Sequence, residues 1–136
     1  MTDLVTRALV DPGARRPSIE TLLHAFLPYT HIDHVHADAI CTLTNHAEGP
    51  TITKEALGEG FAYIDWMRPG FNLSKIVGEL NDYQGVVLAH HGLITWGDDS
   101  ETCYQQTISA VEKARSFVES SLKVAQANRQ SDHEIP

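Results

Sequence analysis

Three of the chain's histidines, His31, His34 and His36, fall within six residues. On a β-strand, residues two apart point to the same face, which places the Cβ atoms of His34 and His36 about 6.5 Å apart, twice the rise per residue. Two imidazoles at that separation can converge on one metal ion at about 2.0–2.1 Å each. On a helix, His31 and His34 would be the neighbours instead. Ile32 and Val35 favour the strand, so His34 and His36 are the predicted pair.

A further histidine follows a second predicted strand. Residues 85–89 form a continuous apolar run, which is typical of a strand buried on both faces, and His90 and His91 come directly after it. Sites in open α/β sheets gather at the carboxyl ends of strands, so His91 is the predicted third ligand, whereas His90 is expected to point the opposite way. Three imidazoles with an open position are typical of catalytic zinc. We expect His24 and His46 to be structural or solvated.

Two acidic residues lie close to this cluster in the sequence. Glu20 falls in the first turn of a predicted helix that leads to the histidine strand, where the helix dipole favours a carboxylate in any case. A carboxylate near a Lewis-acid metal is also what proton abstraction next to a carbonyl requires. Spacing alone leaves both interpretations of Glu20 open. Asp38 lies four residues after His34 and could be a ligand, but the cap of the next helix is the favoured interpretation.

The predicted elements alternate between helix and strand, which indicates a single α/β layered domain. A helix capped by Ser18 is stopped by Pro28, and Thr53 is the predicted N-cap of a later short helix. Residues 1–16 are interpreted as a lead-in arm, 17–127 as the domain and 128–136 as a polar tail. The predicted strands are 31–36, 61–66, 85–89 and 93–96. Ser100 is the predicted cap of the last helix, which runs to about residue 125 with apolar positions Tyr104, Ile108, Val111, Val118 and Leu122.

Composition excludes several classes of function. The 136 residues carry 10 basic and 18 acidic side chains, a formal charge of −8 that opposes binding to nucleic acid and to anionic membranes. There is no apolar run near the roughly 18 residues of a membrane span, and the first residues lack a signal-peptide layout, so we expect a cytoplasmic protein. Cys41 and Cys103 are interpreted as plain thiols. An anionic substrate would need a local cationic site, which a metal could supply.

Five motifs follow one another along the chain: Pro17-Ser18-Ile19-Glu20-Thr21, Leu23-His24-Ala25-Phe26-Leu27-Pro28, Asp33-His34-Val35-His36-Ala37-Asp38-Ala39, Arg68-Pro69-Gly70-Phe71 and His91-Gly92-Leu93-Ile94-Thr95-Trp96-Gly97-Asp98. In this succession they resemble the class II aldolase/adducin family, and most closely the aldolase half of bifunctional rhamnulose-1-phosphate aldolase/alcohol dehydrogenase proteins. The resemblance implies a three-layer α/β/α fold, a ring-like homotetramer, and a divalent metal, typically zinc, held by His34, His36 and His91. It also implies Glu20 as general acid/base and sometimes an additional ligand.

The activity implied by the resemblance is reversible retro-aldol cleavage of a ketose 1-phosphate, a sugar phosphate, to dihydroxyacetone phosphate and an aldehyde. The Gly-Asn-x-Ser loop with which the family cradles the phosphate has no counterpart before Pro17, so we expect the family's N-terminal part to be missing. The alternative is therefore a non-catalytic metal-binding or oligomerising module, as adducin is, or an inactive fragment of a longer aldolase. Apolar surface on the last helix predicts a homo-oligomer.

Overall fold

A computed structural model describes residues 2–131, apart from the side chains of Thr2, Ala127, Asn128, Gln130 and Ser131. The elements, in chain order, are α1 Thr2–Arg7, α2 Thr21–Phe26, β1 His31–Val35, α3 Asp38–Thr44, α4 Gly49–Leu57, β2 Phe61–Ile64, α5 Phe71–Glu79, β3 Gly85–Leu88, β4 Gly92–Gly97 and α6 Ser100–Ser131. Each of the four predicted strands is therefore present.

The four strands form one mixed sheet in the order β1-β4-β3-β2. β2 and β3 are parallel, whereas β4 is antiparallel to both β3 and β1. The carboxyl ends of β1, β2 and β3 consequently lie at the same edge of the sheet as the start of β4. Both central strands, β3 and β4, are buried along their whole length, which the apolar run of residues 85–89 predicts for β3.

Helices cover both faces of the sheet and form two hydrophobic cores. On one face, Leu23 of α2 and Val77 of α5 pack against Val86, Ile94 and Trp96 of the central strands. The core of the other face contains Ile40 and Leu43 of α3, Leu57 of α4, Ala110 and Ala114 of α6, and Val87 and Leu93 of the sheet. This arrangement confirms the predicted three-layer α/β/α fold.

A buried polar contact fixes the orientation of β1. Oγ1 of Thr107 on α6 lies 3.1 Å from Oδ2 of Asp33 and 2.5 Å from Oγ1 of Thr95 on the paired strand. Because side chains alternate along a strand, the neighbours of Asp33 point to the opposite face. Ile32 indeed packs against the core beneath α2 and α5, and His34 belongs to the same face.

Four predicted helix caps were wrong. α6 begins at Ser100 itself, and Oδ1 of the preceding Asp99 accepts the capping hydrogen bond from the N–H of Thr102 at 2.8 Å.

The other three caps belong to shorter helices. α2 begins at Thr21, although the Ser18 hydroxyl does accept a hydrogen bond from the N–H of Glu20 at 3.1 Å one turn earlier. α3 begins at Asp38, which follows the cap position and makes no side-chain capping bond there. α4 begins at Gly49, because Pro50 is well suited to the first turn of a helix. Thr53 therefore lies inside α4.

The face of α6 that packs against the sheet also differs from the predicted stripe. Tyr104, Ile108 and Leu122 are exposed, and only Val111 and Val118 of that stripe are half-buried. The buried face consists of small residues, Cys103, Thr107, Ala110 and Ala114. Small side chains let the helix axis lie close to the sheet. The close packing gained in this way outweighs the larger apolar area that the predicted face would bury.

The ends of the chain extend the regular structure. α1 lies within the segment interpreted as an arm, and α6 continues to Ser131, past the start of the predicted polar tail at residue 128. Residues 132–136 of that tail lie outside the described residues. Within residues 2–131, none of the helices is long and apolar enough to cross a membrane.

Candidate metal centre

Four side chains from three parts of the chain converge at one edge of the sheet. Glu20, His34, His36 and His91 each offer one ligand atom, and these atoms lie within 4.8 Å of one another. The four residues are the ones that the sequence analysis singled out. Among the described residues, His24, His46, His90 and Asp38 are outside this group.

The three imidazoles form a nearly equilateral triangle. Their ring centroids are separated by 4.8 Å between His34 and His36, 5.0 Å between His34 and His91, and 4.9 Å between His36 and His91. The carboxylate of Glu20 closes one side, with Oε1 lying 2.8 Å from Nε2 of His91 and Oε2 lying 3.6 Å from Nδ1 of His34. Three nitrogen donors and one carboxylate are a ligand set that Zn²⁺ favours.

Each ligand is placed by a different feature of the fold. β1 ends at Val35, which pairs with Leu93 near the start of the antiparallel β4. His91 immediately precedes β4, so the pairing of the two strands brings it beside His36. Glu20 directly precedes α2, which packs on the same face of the sheet as His34. The strand interpretation of this segment is confirmed, and the alternative pairing of His31 with His34 was wrong.

The residues of this centre fit a divalent metal. Nε2 of His34 is buried and has no hydrogen-bond partner among the described residues. A buried polar atom without a partner is unfavourable, and such atoms are rare in folded proteins. A cation bound at Nε2 would satisfy this nitrogen, and three imidazoles with a carboxylate are a donor set that suits a divalent metal.

Burial keeps His34 neutral and therefore ready to bind a metal. Desolvation lowers its pKa from 6.5 to about 4, which outweighs the opposing attraction of the Glu20 carboxylate. The positive charges of His91 and His36 lower the pKa further when those rings are protonated. Because a metal competes with protons for imidazole nitrogen, a low pKa favours metal binding at neutral pH.

The lowered pKa of His34 predicts a pH-dependent stability for the metal-free protein. An unfolded histidine takes up a proton as the pH falls through 6.5, whereas folded His34 does so only near pH 4. Stability conferred by this group is therefore lost between those values, and the free energy of unfolding should fall by about 2 kcal/mol between pH 7 and pH 5. Urea unfolding in the presence of a chelator measures this change.

The matched control for that experiment is His34→Gln, which removes the titrating ring. Other groups titrate in both proteins, so the quantity compared is the difference between wild type and variant at each pH. An identical loss of stability in both proteins would contradict the assigned role of His34.

Gly92 is packed so closely against β1 that a side chain has no room there. A Cβ atom built on Gly92 would lie 2.3 Å from the carbonyl oxygen of Val35 and 2.9 Å from Cδ2 of His36. The sequence motif included Gly92, but its packing role was missed. A glycine directly after a candidate ligand was the available signal, since glycine often marks a close approach of two backbones.

Gly92→Ala is therefore expected to separate β1 from β4 at the metal centre. We expect a loss of about 3 kcal/mol in the free energy of unfolding, because the clash is with backbone, together with weaker zinc binding. Denaturant unfolding and zinc titration measure the two effects. The control is Gly13→Ala, because a Cβ built on Gly13 meets only the side chain of exposed Asp11, at 3.3 Å; it should change the free energy of unfolding by less than about 1 kcal/mol and leave zinc binding unchanged. Equal effects of the two variants would argue against the clash.

Comparison with known proteins places this geometry in a family. The sequence model described as "Class II Aldolase and Adducin N-terminal domain" matches residues 2–118. A protein of Bacillus subtilis (strain 168), named "Uncharacterized oxidoreductase YuxG", is 45% identical over 122 residues, which are 87% of this chain and 18% of that protein. The chain thus spans less than a fifth of that relative.

Solved structures share the fold. The N-terminal class II aldolase domain of a conserved protein from Thermoplasma acidophilum is 37% identical with a TM-score of 0.80, over 86% of this chain and 55% of that one. A sugar-phosphate aldolase from Thermotoga maritima is 19% identical with a TM-score of 0.63, over 79% of this chain and 55% of that one, and shows the fold alone. The match over most of its length shows that this chain belongs to the class II aldolase and adducin N-terminal domain family.

Proposed function

We propose that this chain is the metal-dependent part of a class II aldolase, which reversibly cleaves a ketose 1-phosphate to dihydroxyacetone phosphate and an aldehyde. The observation that carries the proposal is the convergence of Glu20 with His34, His36 and His91 within 4.8 Å. Class II aldolases depend on a divalent metal, and a group of this composition could hold one. We propose zinc, because imidazole and carboxylate suit it at a site of this size.

Glu20 is the proposed acid and base. A bound divalent ion would act as a Lewis acid toward the oxygens of the hydroxyketone. In the cleavage direction, the Glu20 carboxylate takes the proton of the hydroxyl group that becomes the aldehyde as the carbon–carbon bond breaks, and it then gives this proton to the carbon next to the carbonyl. In the synthesis direction, the Glu20 carboxylate removes the proton from that carbon of dihydroxyacetone phosphate and gives it to the aldehyde oxygen as the new bond forms. Its side chain is only 23% exposed, which limits competition from water for the proton.

A cavity lined in part by the two residues that precede Glu20 supports an anionic substrate. Its volume is about 450 Å³, and its lining includes Ser18, Ile19 and the segment from Arg68 to Asn72 at the start of α5. Ser18 and Ile19 directly precede Glu20 in the chain. Among the described residues, Arg68 takes part in no ion pair, so its charge is available to a phosphate group. An unpaired cation at this position matters in a chain of net charge −8.

Arg68→Ala is accordingly expected to weaken substrate binding. A hydrogen bond to a charged group contributes about 1.5–3 kcal/mol, so the KM for a ketose 1-phosphate should rise about 10- to 100-fold while kcat changes less. Steady-state kinetics measure both parameters. Arg115→Ala removes an arginine that pairs with Glu112 on α6 and should leave the KM unchanged. An unaltered KM in Arg68→Ala would contradict the assignment of this cavity to the phosphate.

Three finer features belong to the same proposal. A rhamnulose 1-phosphate-like substrate is supported by the 45% identity to one segment of a longer protein that is named as an oxidoreductase, an arrangement expected of a fused aldolase and dehydrogenase. A homo-oligomer is supported by the exposed Tyr104, Ile108 and Leu122 on α6, and this family commonly forms oligomers. We propose a cytoplasmic location and a tetramer on the family resemblance.

The test of the proposed function is a retro-aldol assay of zinc-loaded protein on a panel of ketulose 1-phosphates that differ in stereochemistry. Release of dihydroxyacetone phosphate is the readout. We expect cleavage of at least one substrate, abolished by a chelator and restored by zinc. Stoichiometric zinc without cleavage of any substrate in the panel would overturn the catalytic proposal and favour a non-catalytic metal-binding module.

A further inference from the structure

The turn that carries His91 has an unusual backbone conformation. His90 has φ 55°, and it is the one residue other than glycine with positive φ among residues 2–131. This conformation is unfavourable for a residue with a Cβ atom, so it persists only where surrounding contacts hold it. The side chain of His90 is exposed, so burial of the ring does not provide that hold.

Hydrogen bonds from α3 hold this turn. The N–H of His90 donates to Oγ1 of Thr44 at 3.2 Å, and Nδ1 of His90 lies 2.5 Å from Oδ1 of Asn45. The Cys41 thiol lies 3.7 Å from the carbonyl oxygen of His91. The three partners occupy the last turn of α3 and its C-cap, 45 to 50 residues away in sequence. The turn is therefore attached to α3 at three points.

The position of α3 gives these bonds a consequence for the metal centre. β1, which carries His34 and leads into His36, ends at Val35, and α3 begins at Asp38. The helix that is covalently attached to the His34–His36 pair is thus hydrogen-bonded to the turn before His91. Pairing of β1 with β4 is formed by residues 93–97 of β4, so it does not include His91 itself. The turn is closed on the sheet side by the pairing of Leu88 with Gly92 and by the hydrogen bond from the N–H of His91 to the carbonyl oxygen of Leu88 at 3.1 Å, and the contacts from α3 hold its other side.

We propose that His90 and Asn45 are positioning residues, which fix His91 relative to His34 and His36 and so set the metal affinity. Neither residue belongs to the group of metal ligands. The hydrogen bond between them attaches the side chain of His90 to the end of α3 and so maintains the positive φ of His90. With the backbone in this conformation, the ring of the next residue, His91, faces the rings of His34 and His36. This proposal rests on the metal centre of the proposed function, but not on its catalytic step.

The experiment compares His90→Gly, Asn45→Ala and the double variant with wild type. Glycine accepts positive φ, so His90→Gly removes the hydrogen bond without adding strain. Zinc affinity is measured by competition with a chelator, and the visible absorption of the Co²⁺-loaded protein reports the arrangement of its ligands. Each single variant should bind zinc about 10- to 100-fold more weakly, the size of effect expected when a metal ligand loses contacts that orient it, and should alter the Co²⁺ spectrum.

Two further comparisons separate positioning from a general loss of structure. The double variant should bind zinc no more weakly than the weaker single variant, because both changes break the same hydrogen bond. Thermal unfolding of the metal-free variants should remain close to that of wild type. His46→Ala is the matched control, because it removes another exposed imidazole just beyond α3. Nδ1 of His46 accepts a hydrogen bond from the N–H of Glu48 and not from the turn before His91. This variant should bind zinc as wild type does.

The outcomes distinguish this inference from the proposed function. Unchanged zinc affinity and an unchanged Co²⁺ spectrum in His90→Gly and Asn45→Ala would overturn the positioning role while leaving the metal centre intact. Additive losses in the double variant would also overturn it, since they would show that the two residues act separately. A wild-type protein that binds no zinc would overturn the metal centre itself and this inference with it.

Discussion

Replacing His36 with alanine is expected to abolish stoichiometric zinc binding. The free energy of zinc binding at structural sites with about four ligands is about 10–16 kcal/mol, so each ligand accounts for about 3 kcal/mol. Loss of one ligand should therefore weaken zinc affinity about 100- to 1,000-fold. His36 is exposed, so its replacement leaves the cores intact and the metal-free protein should unfold as wild type does. Plasma mass spectrometry after zinc reconstitution and removal of excess metal should find about one zinc per wild-type chain and none in the variant.

The matched control for His36→Ala is His31→Ala. His31 lies on the same strand, but it is two residues from Asp33 and therefore shares the face of the sheet that packs against α6. The proposed metal ligand His34 is on the opposite face, so loss of His31 should not change the zinc content. Equal zinc content in wild type and His36→Ala would show that His36 is not a ligand. Zinc absent from wild type as well would mean that the four side chains do not retain a metal, and the retro-aldol proposal would lose its basis.

Glu20→Gln is expected to lower kcat for retro-aldol cleavage about 100- to 10,000-fold, the usual contribution of a positioned acid or base. Glutamine retains the shape of the side chain but cannot exchange a proton with the substrate carbon. The three imidazoles remain, so the variant should still bind zinc after reconstitution. Steady-state kinetics on zinc-loaded protein, with the metal content of the same samples, separate loss of the proton-transfer group from loss of metal.

Glu55→Gln provides the control for Glu20→Gln. Glu55 lies on the exposed side of α4 and makes no ion pair among the described residues, so the same change of charge there should leave kcat unaltered. Full activity in zinc-loaded Glu20→Gln would exclude Glu20 as the acid or base. A variant that lost both zinc and activity would instead identify Glu20 mainly as a ligand.

Local sequence was sufficient for the strands and for the histidine pair. The repeat of two along a strand places His34 and His36 on one face whatever the rest of the chain does, and the apolar run before His91 identifies a buried strand. These predictions needed only neighbouring residues, because backbone geometry and burial of a short segment determine them. The alternation of elements indicated an α/β layered domain, whereas the three-layer α/β/α arrangement was implied by the family resemblance.

The contacts of the centre depended on residues that are distant in the chain. Glu20 and His34 are fourteen positions apart, and spacing could not choose between a helix-dipole role and a place beside the histidines. The packing of α2 on the face that carries His34 decided that question. Nothing in the local pattern around Thr44 or Asn45 indicated that they bind the His90 turn, since such residues are common at helix ends.

By itself, then, the sequence determined the residue types, the strand period that pairs His34 with His36, and the segments that must be buried. Tertiary structure alone decided that the small face of α6 packs on the sheet, that Asp33 bonds to Thr107, and that α3 holds the turn before His91. The physical reason is that periodicity and burial preference act between neighbours along the chain. Close packing and hydrogen-bond partners depend on the distances between whole elements, which exist only when the layers have assembled.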